Sequence, residues 1–512
     1  MKKAGFCIVI ACLLFLVPVS SPGAAPVHPP SIRALGAART VGGSAYLIDA
    51  GYARLLVDFG SIPDEKRQTR EEDRSFDPAS IDYVLVTHAH IDHAGQIPAL
   101  YRRGFRGRVI GTAATRALLR ITLEQSLNIM EERGGVDYER ADVERMFENY
   151  LAVPYDKEIS PAAHLRIRLR DAGHILGSAM FELWIRDRNG PIKIVATGDM
   201  GSGIHPLLPQ PAAIDAADYI IVESTYGPFR RAETDFGDFG REVRKTLLAG
   251  GSVLIPAFAL DRTQKVLGIL GQLKREGVIS ADVPVYADSR TAGAISRVYR
   301  RYRKNYNPDL LRRLNPGEDP LSFPGLRHVA GNVSLAAHET DGAAIFLTSS
   351  GMLDHGQAPR HLERMIGDQR NLLAIVGWQA PGTVGFDLQQ GAATVRIPEE
   401  RRRGESVSYR QRSVKMQVKT FGAFSSHADG CGMLRWLSRF SQTKKVIVVH
   451  GEEQNAAGLA RAVGKNLGFP AIAPVRGDPI PLSSAASRTP RRLQGSPCQG
   501  IRTAGESAPP AD

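Results

Sequence analysis

An α/β layered body joined to a second α/β domain is the fold class this sequence predicts, on three observations. Short apolar strands alternate with helically spaced segments along most of the chain. The rhythm of that alternation changes near residue 227. The chain, at 512 residues, exceeds what one compact core serves, so two or three domains are expected. Hydrophobic residues at 43% exclude a disordered chain, and four cysteines exclude a small disulfide-framed domain.

The elements follow in chain order. Lys2 and Lys3 precede an apolar run from Phe6 to Val19 and a small-residue stretch to Ala25, which reads as a signal peptide over residues 1–25. The run is too short for a comfortable membrane span, and no other apolar run approaches that length, so the mature chain is expected to have no transmembrane helix. Export to the periplasm or outside the cell is the expectation. An uncleaved membrane anchor is the alternative, and the cytoplasm is less favoured. Residues 44–58 read as a hairpin around Ala50-Gly51, residues 81–87 as a buried strand, Ile97, Leu100 and Tyr101 as a helix face, and 108–111 as a strand. A long helical region covers about 113–150 with a break at Gly134-Gly135, and strands recur at 165–170, 179–185, 192–197 and 219–222. From 227 to 385 short strands such as 252–256 and 283–286 are each followed by a helix, which marks the second domain. Strands of the first kind are expected again at 414–420 and 445–449. The last segment, 479–512, is rich in Ser, Pro, Ala, Gly and Arg and reads as a disordered tail. Cys7 and Cys12 fall in the leader, Cys431 in the body and Cys498 in the tail, and a disulfide between the last two is not the expectation.

Net charge is +12, of which +8 remains on the body after both ends are trimmed. An excess of that size is compatible with a polyanionic partner without identifying one. Part of it clusters on an expected helix at 290–313, which reads first as a solvated basic face.

The chemistry is concentrated in His88-Ala89-His90-Ile91-Asp92-His93, which begins where the strand 81–87 ends. Strand-end positions of this kind are where α/β folds place their reactions. Three imidazoles and a carboxylate within six residues are costly to pack and natural to metallate, and that donor set suits zinc. His88 and His90 can serve one ion while Asp92 and His93 turn toward a second. Further ligands are sought at other strand ends, where His174, Asp199 and His450 each follow an apolar strand.

With Val57-Asp58-Phe59-Gly60, Ala172-Gly173-His174, Thr197-Gly198-Asp199, Glu223-Ser224-Thr225-Tyr226-Gly227, Ser425-Ser426-His427-Ala428-Asp429 and His450-Gly451, these residues resemble the β-CASP nuclease branch of the metallo-β-lactamase fold. The resemblance covers roughly residues 34–475. It is closest to the group containing the endonuclease subunit of the mRNA cleavage and polyadenylation machinery and its bacterial relatives. It implies an αββα sandwich over 32–226 and 386–478, with a β-CASP domain inserted at 227–385. It also implies two zinc ions, one held by His88, His90 and His174 and the other by Asp92, His93 and His450. Asp199 bridges the two ions and Asp58 orients a ligand.

Further implications are attack on a phosphodiester by a metal-bridging hydroxide, with Asp92 among the catalytic residues. A general acid is expected at His427 paired with Glu223, because a carboxylate partner fixes an imidazole's tautomer. The small-residue loop at Ser350 and Gly351 is expected to bind a substrate phosphate. The expected activity is a zinc-dependent endoribonuclease on single-stranded RNA. The alternatives are an exported hydrolase of single-stranded DNA or of a small phosphodiester or ester, and a non-catalytic nucleic-acid-binding subunit. A homodimer is left open.

Overall fold

The computed structural model describes residues 28–62, 76–132, 137–231, 235–329, 335–336, 342–399, 408–485 and 496–503. The expected leader and the Gly134-Gly135 break lie outside the described residues.

Two sheets form the body. The first comprises β1 (Ser31–Gly36), β2 (Ala45–Asp49), β3 (Arg54–Val57), β4 (Tyr83–Leu85), β5 (Arg108–Gly111) and β6 (Tyr150–Ala152), in sequential order. The second comprises β7 (Glu158–Ala162), β8 (Leu165–Asp171), β9 (Ala179–Arg186), β10 (Pro191–Ala196) and β11 (Tyr219–Glu223). The β2–β3 hairpin turns at Gly51, whose φ of 81° favours glycine. Ile48, Leu55, Ile167, Leu169, Phe181, Leu183, Ile194 and Ile221 fill the space between the sheets. Burying each such side chain contributes about 1.5–3 kcal/mol.

Alternate residues face outward onto helices, as the period of two requires. Leu47, Leu56, Val84 and Val109 of the first sheet pack in one cluster with Leu100, Leu118 and Met146, from helices Ile97–Arg102, Ala113–Glu132 and Arg140–Glu148. Val195, Ile220 and Val222 of the second sheet pack with Met433, Trp436 and Leu459, from helices Gly430–Leu437 and Glu453–Leu467. The result is the expected αββα sandwich.

After β12 (Phe229–Arg230) and the helix Gly237–Leu248, the chain builds a separate parallel sheet. Its strands are β13 (Val253–Pro256), β14 (Val285–Asp288), β15 (Leu326–Val329), β16 (Ile345–Thr348) and β17 (Leu372–Ile375), with helices Arg262–Arg275, Arg290–Arg301, Pro308–Arg313, Ala358–Met365 and Val384–Gln389. A hairpin of β18 (Thr394–Pro398) and β19 (Tyr409–Ser413) follows. Next, β20 (Gln417–Thr420) pairs in parallel with β17, so the sheet order is β15-β14-β16-β13-β17-β20. This corrects the boundary at 385 and the assignment of 414–420 to the body. The inserted domain extends to β20, because an alternating strand carries no mark of which sheet it joins. The chain re-enters the body at β21 (Lys445–Val449), parallel to β11, followed by β22 (Ala471–Ile472).

Two further expectations change. The segment 290–313 is not one helix, since a 3-10 turn at Arg303–Asn305 separates two. Its charges are mostly exposed, and Arg300 pairs with Asp319. The tail expected to be disordered from 479 contributes two built pieces. Strand β23 (Ile480–Pro481) pairs with β1, and β24 (Arg502–Thr503) pairs with β12. A Cys431–Cys498 disulfide holds the second piece. Backbone pairing, the covalent bond and a few apolar side chains hold these segments, with Ile480 and Leu482 buried between the sheets and Ile501 packed against the cluster outside the second sheet. So sparse a set does not register in composition.

The disulfide closes a loop of 67 residues. Loop-closure entropy makes such a link worth up to about 4 kcal/mol. Replacing both cysteines by serine is expected to lower the calorimetric unfolding midpoint by several degrees. Reductant should produce the same shift in the wild type and none in the variant.

Candidate metal centre

Four strand ends of the two sheets converge on one point. Beyond β4, His88 is buried and the short helix Ile91–Ala94 turns Asp92 and His93 inward. Two loops clamp that helix: Ser44 N, just before β2, donates to Asp92 O at 2.8 Å, and Phe59 N, after β3, donates to His93 O at 2.8 Å. A Cβ on Gly60 would stand 1.6 Å from Asp92 O, so only glycine fits there. His174 follows β8 and its backbone N–H donates to Ser178 Oγ. Asp199 follows β10 and His450 follows β21. Asp58 and His450 adopt left-handed backbones, at φ of 59° and 48°. Such strain persists where the surroundings over-determine it.

Two ligand groups result. In the first, His88, His90, His174 and Asp199 bring one donor atom each within 4.8 Å of one another. His88 Nε2 lies 3.0 Å from His90 Nδ1, and His174 Nε2 lies 3.3 Å from the same atom. In the second, His450 Nε2 lies 3.2 Å from both His93 Nε2 and Asp92 Oδ2. Asp199 stands between the groups, with Oδ2 3.4 Å from His88 Nε2 and Oδ1 3.2 Å from His93 Nε2.

Burial drives the His88 and His174 imidazoles well below their usual range, and neighbouring imidazoles add to it, so both are in the neutral form that binds metal. Burial opposes the charge on Asp199 as well, but His450, His93 and His88 outweigh it and hold its carboxyl well below the ordinary range. Asp199 Oδ1 has no hydrogen-bond partner among the described residues. Imidazole nitrogens facing one another around a buried carboxylate are a donor set that a cation satisfies. These residues fit a metal site with nitrogen and oxygen ligands.

The surrounding groups fix the ligands. Asp58 Oδ2 is 2.8 Å from His93 Nδ1, and Asp58 accepts from Thr87 N at 2.8 Å and Thr87 Oγ1 at 2.7 Å. Thr87 Oγ1 also lies 3.0 Å from His88 Nδ1. His427 Nδ1 lies 3.0 Å from Glu223 Oε1, which accepts from Met200 N. The His427 ring is 4.5 Å from the His174 ring. Thr225 Oγ1 donates to Glu223 Oε2 and reaches His427 Nδ1 at 3.3 Å and His450 Nδ1 at 3.4 Å. Sequence reading missed the orienting roles of Thr87 and Thr225, although both stand beside the residues it singled out.

Ser350 and Gly351 belong to a different neighbourhood. They follow β16 at the carboxyl end of the inserted sheet, where Ser350 Oγ donates to Asp354 Oδ1 and Gly351 O accepts from Gln379. Among the described residues, their hydrogen bonds stay within that domain.

Two ligand groups sharing a carboxylate at the sheet ends of an αββα sandwich define a metallo-hydrolase. Residues 38–149 match the metallo-beta-lactamase superfamily, 263–388 the Beta-Casp domain, and 412–474 the Zn-dependent metallo-hydrolase RNA specificity domain. Ribonuclease TTHA0252 of Thermus thermophilus is 34% identical over 429 residues, covering 83% of this chain and 94% of that protein. An RNase J-like protein of Methanocaldococcus jannaschii is 30% identical, covering 87% of this chain and 98% of its own. Transcription termination factor FttA of Methanococcus maripaludis is 30% identical, covering 88% and 71% respectively. The chain belongs to the β-CASP nucleases of the metallo-β-lactamase fold.

Because Asp199 touches both groups, Asp199→Ala is expected to lose metal from both, whereas His450→Ala should lose it from one. Elemental analysis of the purified variants beside the wild type reads the difference.

Proposed function

We propose that this protein is a di-zinc endoribonuclease that hydrolyses phosphodiester bonds in single-stranded RNA. The observation that carries the reading is His427, held by Glu223 against the ligand groups. A hydrolase that expels a good leaving group has no need of a second acid there. A nuclease expelling a sugar hydroxyl does.

Imidazole and carboxylate donors support zinc. When bound, two zinc ions would polarise the scissile phosphate and lower the pKa of water held there. The chain's own residues supply the rest. Asp92, His93 and Asp199 fix the geometry of the second group, and Asp58 holds the His93 ring. Glu223 takes up His427 Nδ1, so proton delivery to the leaving oxygen falls to Nε2. RNA as substrate is supported by the names of the relatives and by the RNA specificity match, which contains both His427 and His450.

We also propose that the protein works outside the cytoplasm. The charged and apolar pattern of residues 1–25 supports this, as does the Cys431–Cys498 bond, since disulfides persist in oxidising compartments.

His427→Ala is expected to slow cleavage of labelled single-stranded RNA by about 10²–10⁴-fold with metal content unchanged. A wild type that cuts no RNA, or cuts only single-stranded DNA, would overturn the substrate assignment. Fusing residues 1–30 to a reporter active only after export should give signal, and a silent reporter would return the protein to the cytoplasm.

A further inference from the structure

A second buried polar cluster lies where the inserted domain meets the body. Asp261 precedes the helix Arg262–Arg275 in a left-handed conformation, at φ of 65°. Its carboxylate collects donors from separate segments. Oδ1 lies 3.0 Å from His205 Nε2 and accepts from Tyr299 OH at 2.8 Å. Oδ2 accepts from Ser426 Oγ at 2.7 Å. His205 Nδ1 accepts from Leu207 N and Leu208 N, so the ring's proton sits on Nε2 and is donated to Asp261. Tyr299 OH in turn accepts from Leu176 N, two residues beyond the ligand His174.

One turn along the helix, Lys265 is fully buried. Its ammonium donates to Phe424 O at 3.1 Å, Ser425 O at 3.3 Å and Ser426 Oγ at 2.7 Å. It also stands 4.0 Å from Asp261 Oδ2. Burying a lysine costs several kcal/mol unless it is paired and fully hydrogen-bonded. Here every one of those partners belongs to Asp261 or to the three residues immediately before His427.

We propose that Asp261 and Lys265 are positioning residues that set His427 from the inserted domain. The loop 424–427 is gripped from both sides. From the body, Ser202 N donates to Ser426 O and Ala428 N donates to Met200 O, and Arg231 Nη1, just after β12, donates to Ser425 O. From the inserted domain come Lys265 and Asp261, which meet at Ser426. His427 stands directly after that junction, and Glu223 orients its ring but does not fix its backbone. Delivery of a proton to the leaving oxygen therefore depends on the inserted domain being seated on the body. The inference rests on the reading of His427 as the general acid.

The test compares two substrates in the full chain. An RNA oligonucleotide needs its leaving sugar oxygen protonated, whereas bis(p-nitrophenyl) phosphate releases a nitrophenolate anion that needs no proton. Lys265→Met and Ser426→Ala are expected to lower kcat on RNA by about tenfold or more. KM should stay within about twofold, metal content should match the wild type, and hydrolysis of bis(p-nitrophenyl) phosphate should also stay within about twofold. Should Lys265→Met fail to fold, Ser426→Ala decides, because it removes the junction and leaves the ion pair in place. A folded, metal-loaded variant with wild-type kcat on RNA would overturn the proposal. Equal losses on both substrates would overturn it too, since they would place the damage at the metal centre. RNA cleavage by His427→Ala at the wild-type rate would instead remove the reading of His427, and this proposal with it.

Discussion

The buried Asp199 carboxylate is the interaction on which the structure depends. It stands between two sets of imidazoles and is the carboxylate common to both. Burial pushes the His88 and His174 rings to neutrality, while Asp199 remains charged because several imidazoles surround it. Everything nearby serves that convergence. Strands of both sheets end at the same level, Asp58 and His450 hold uncommon backbone angles, and the loop after β3 presses within contact of the Asp92 carbonyl. Such geometry is stored locally and stabilised by the packing of two sheets and their helices.

The inserted domain does more than cover this point. Its helix Arg262–Arg275 is entered through Asp261-Arg262-Thr263-Gln264-Lys265, five polar residues in a row that are all buried. Arg262 donates to Val376 O inside its own domain, while Asp261 and Lys265 reach across to the body. The junction between domains is thus polar and satisfied at its centre. Contacts of this kind fix register more strictly than apolar packing, because a shift of a few tenths of an ångström leaves charged groups unpaired.

Legibility in the sequence followed the range of the interactions. Elements defined by neighbouring residues could be read directly, such as the hairpin at Gly51, the strand before His88 and the strand before His450. So could the ligands, since each follows an apolar run and their residue types are unusual in that setting. Other features depend on partners remote in the chain. The residues at 414–420 have the pattern of a strand, but only β17 determines that they belong to the inserted sheet. Cys431 and Cys498 are 67 positions apart, in segments of unlike composition, and nothing local pairs them. Asp261 and Lys265 look like an ordinary solvated helix start until Ser426 arrives from 161 positions downstream of Lys265. Thr87 and Thr225 are common residues whose importance comes only from the carboxylates they touch.

The division of the ligands along the chain has a consequence for biosynthesis. His88, His90, His174 and Asp199 all precede the insertion, and β7 to β11 precede it with them. His450 comes 251 positions after Asp199. At roughly 5–20 residues per second, a growing polypeptide carries a complete first group for about 13–50 s before the second can close. The two sets of donors are therefore completed at different stages of synthesis, the first before the insertion is made and the second only once β21 has followed it.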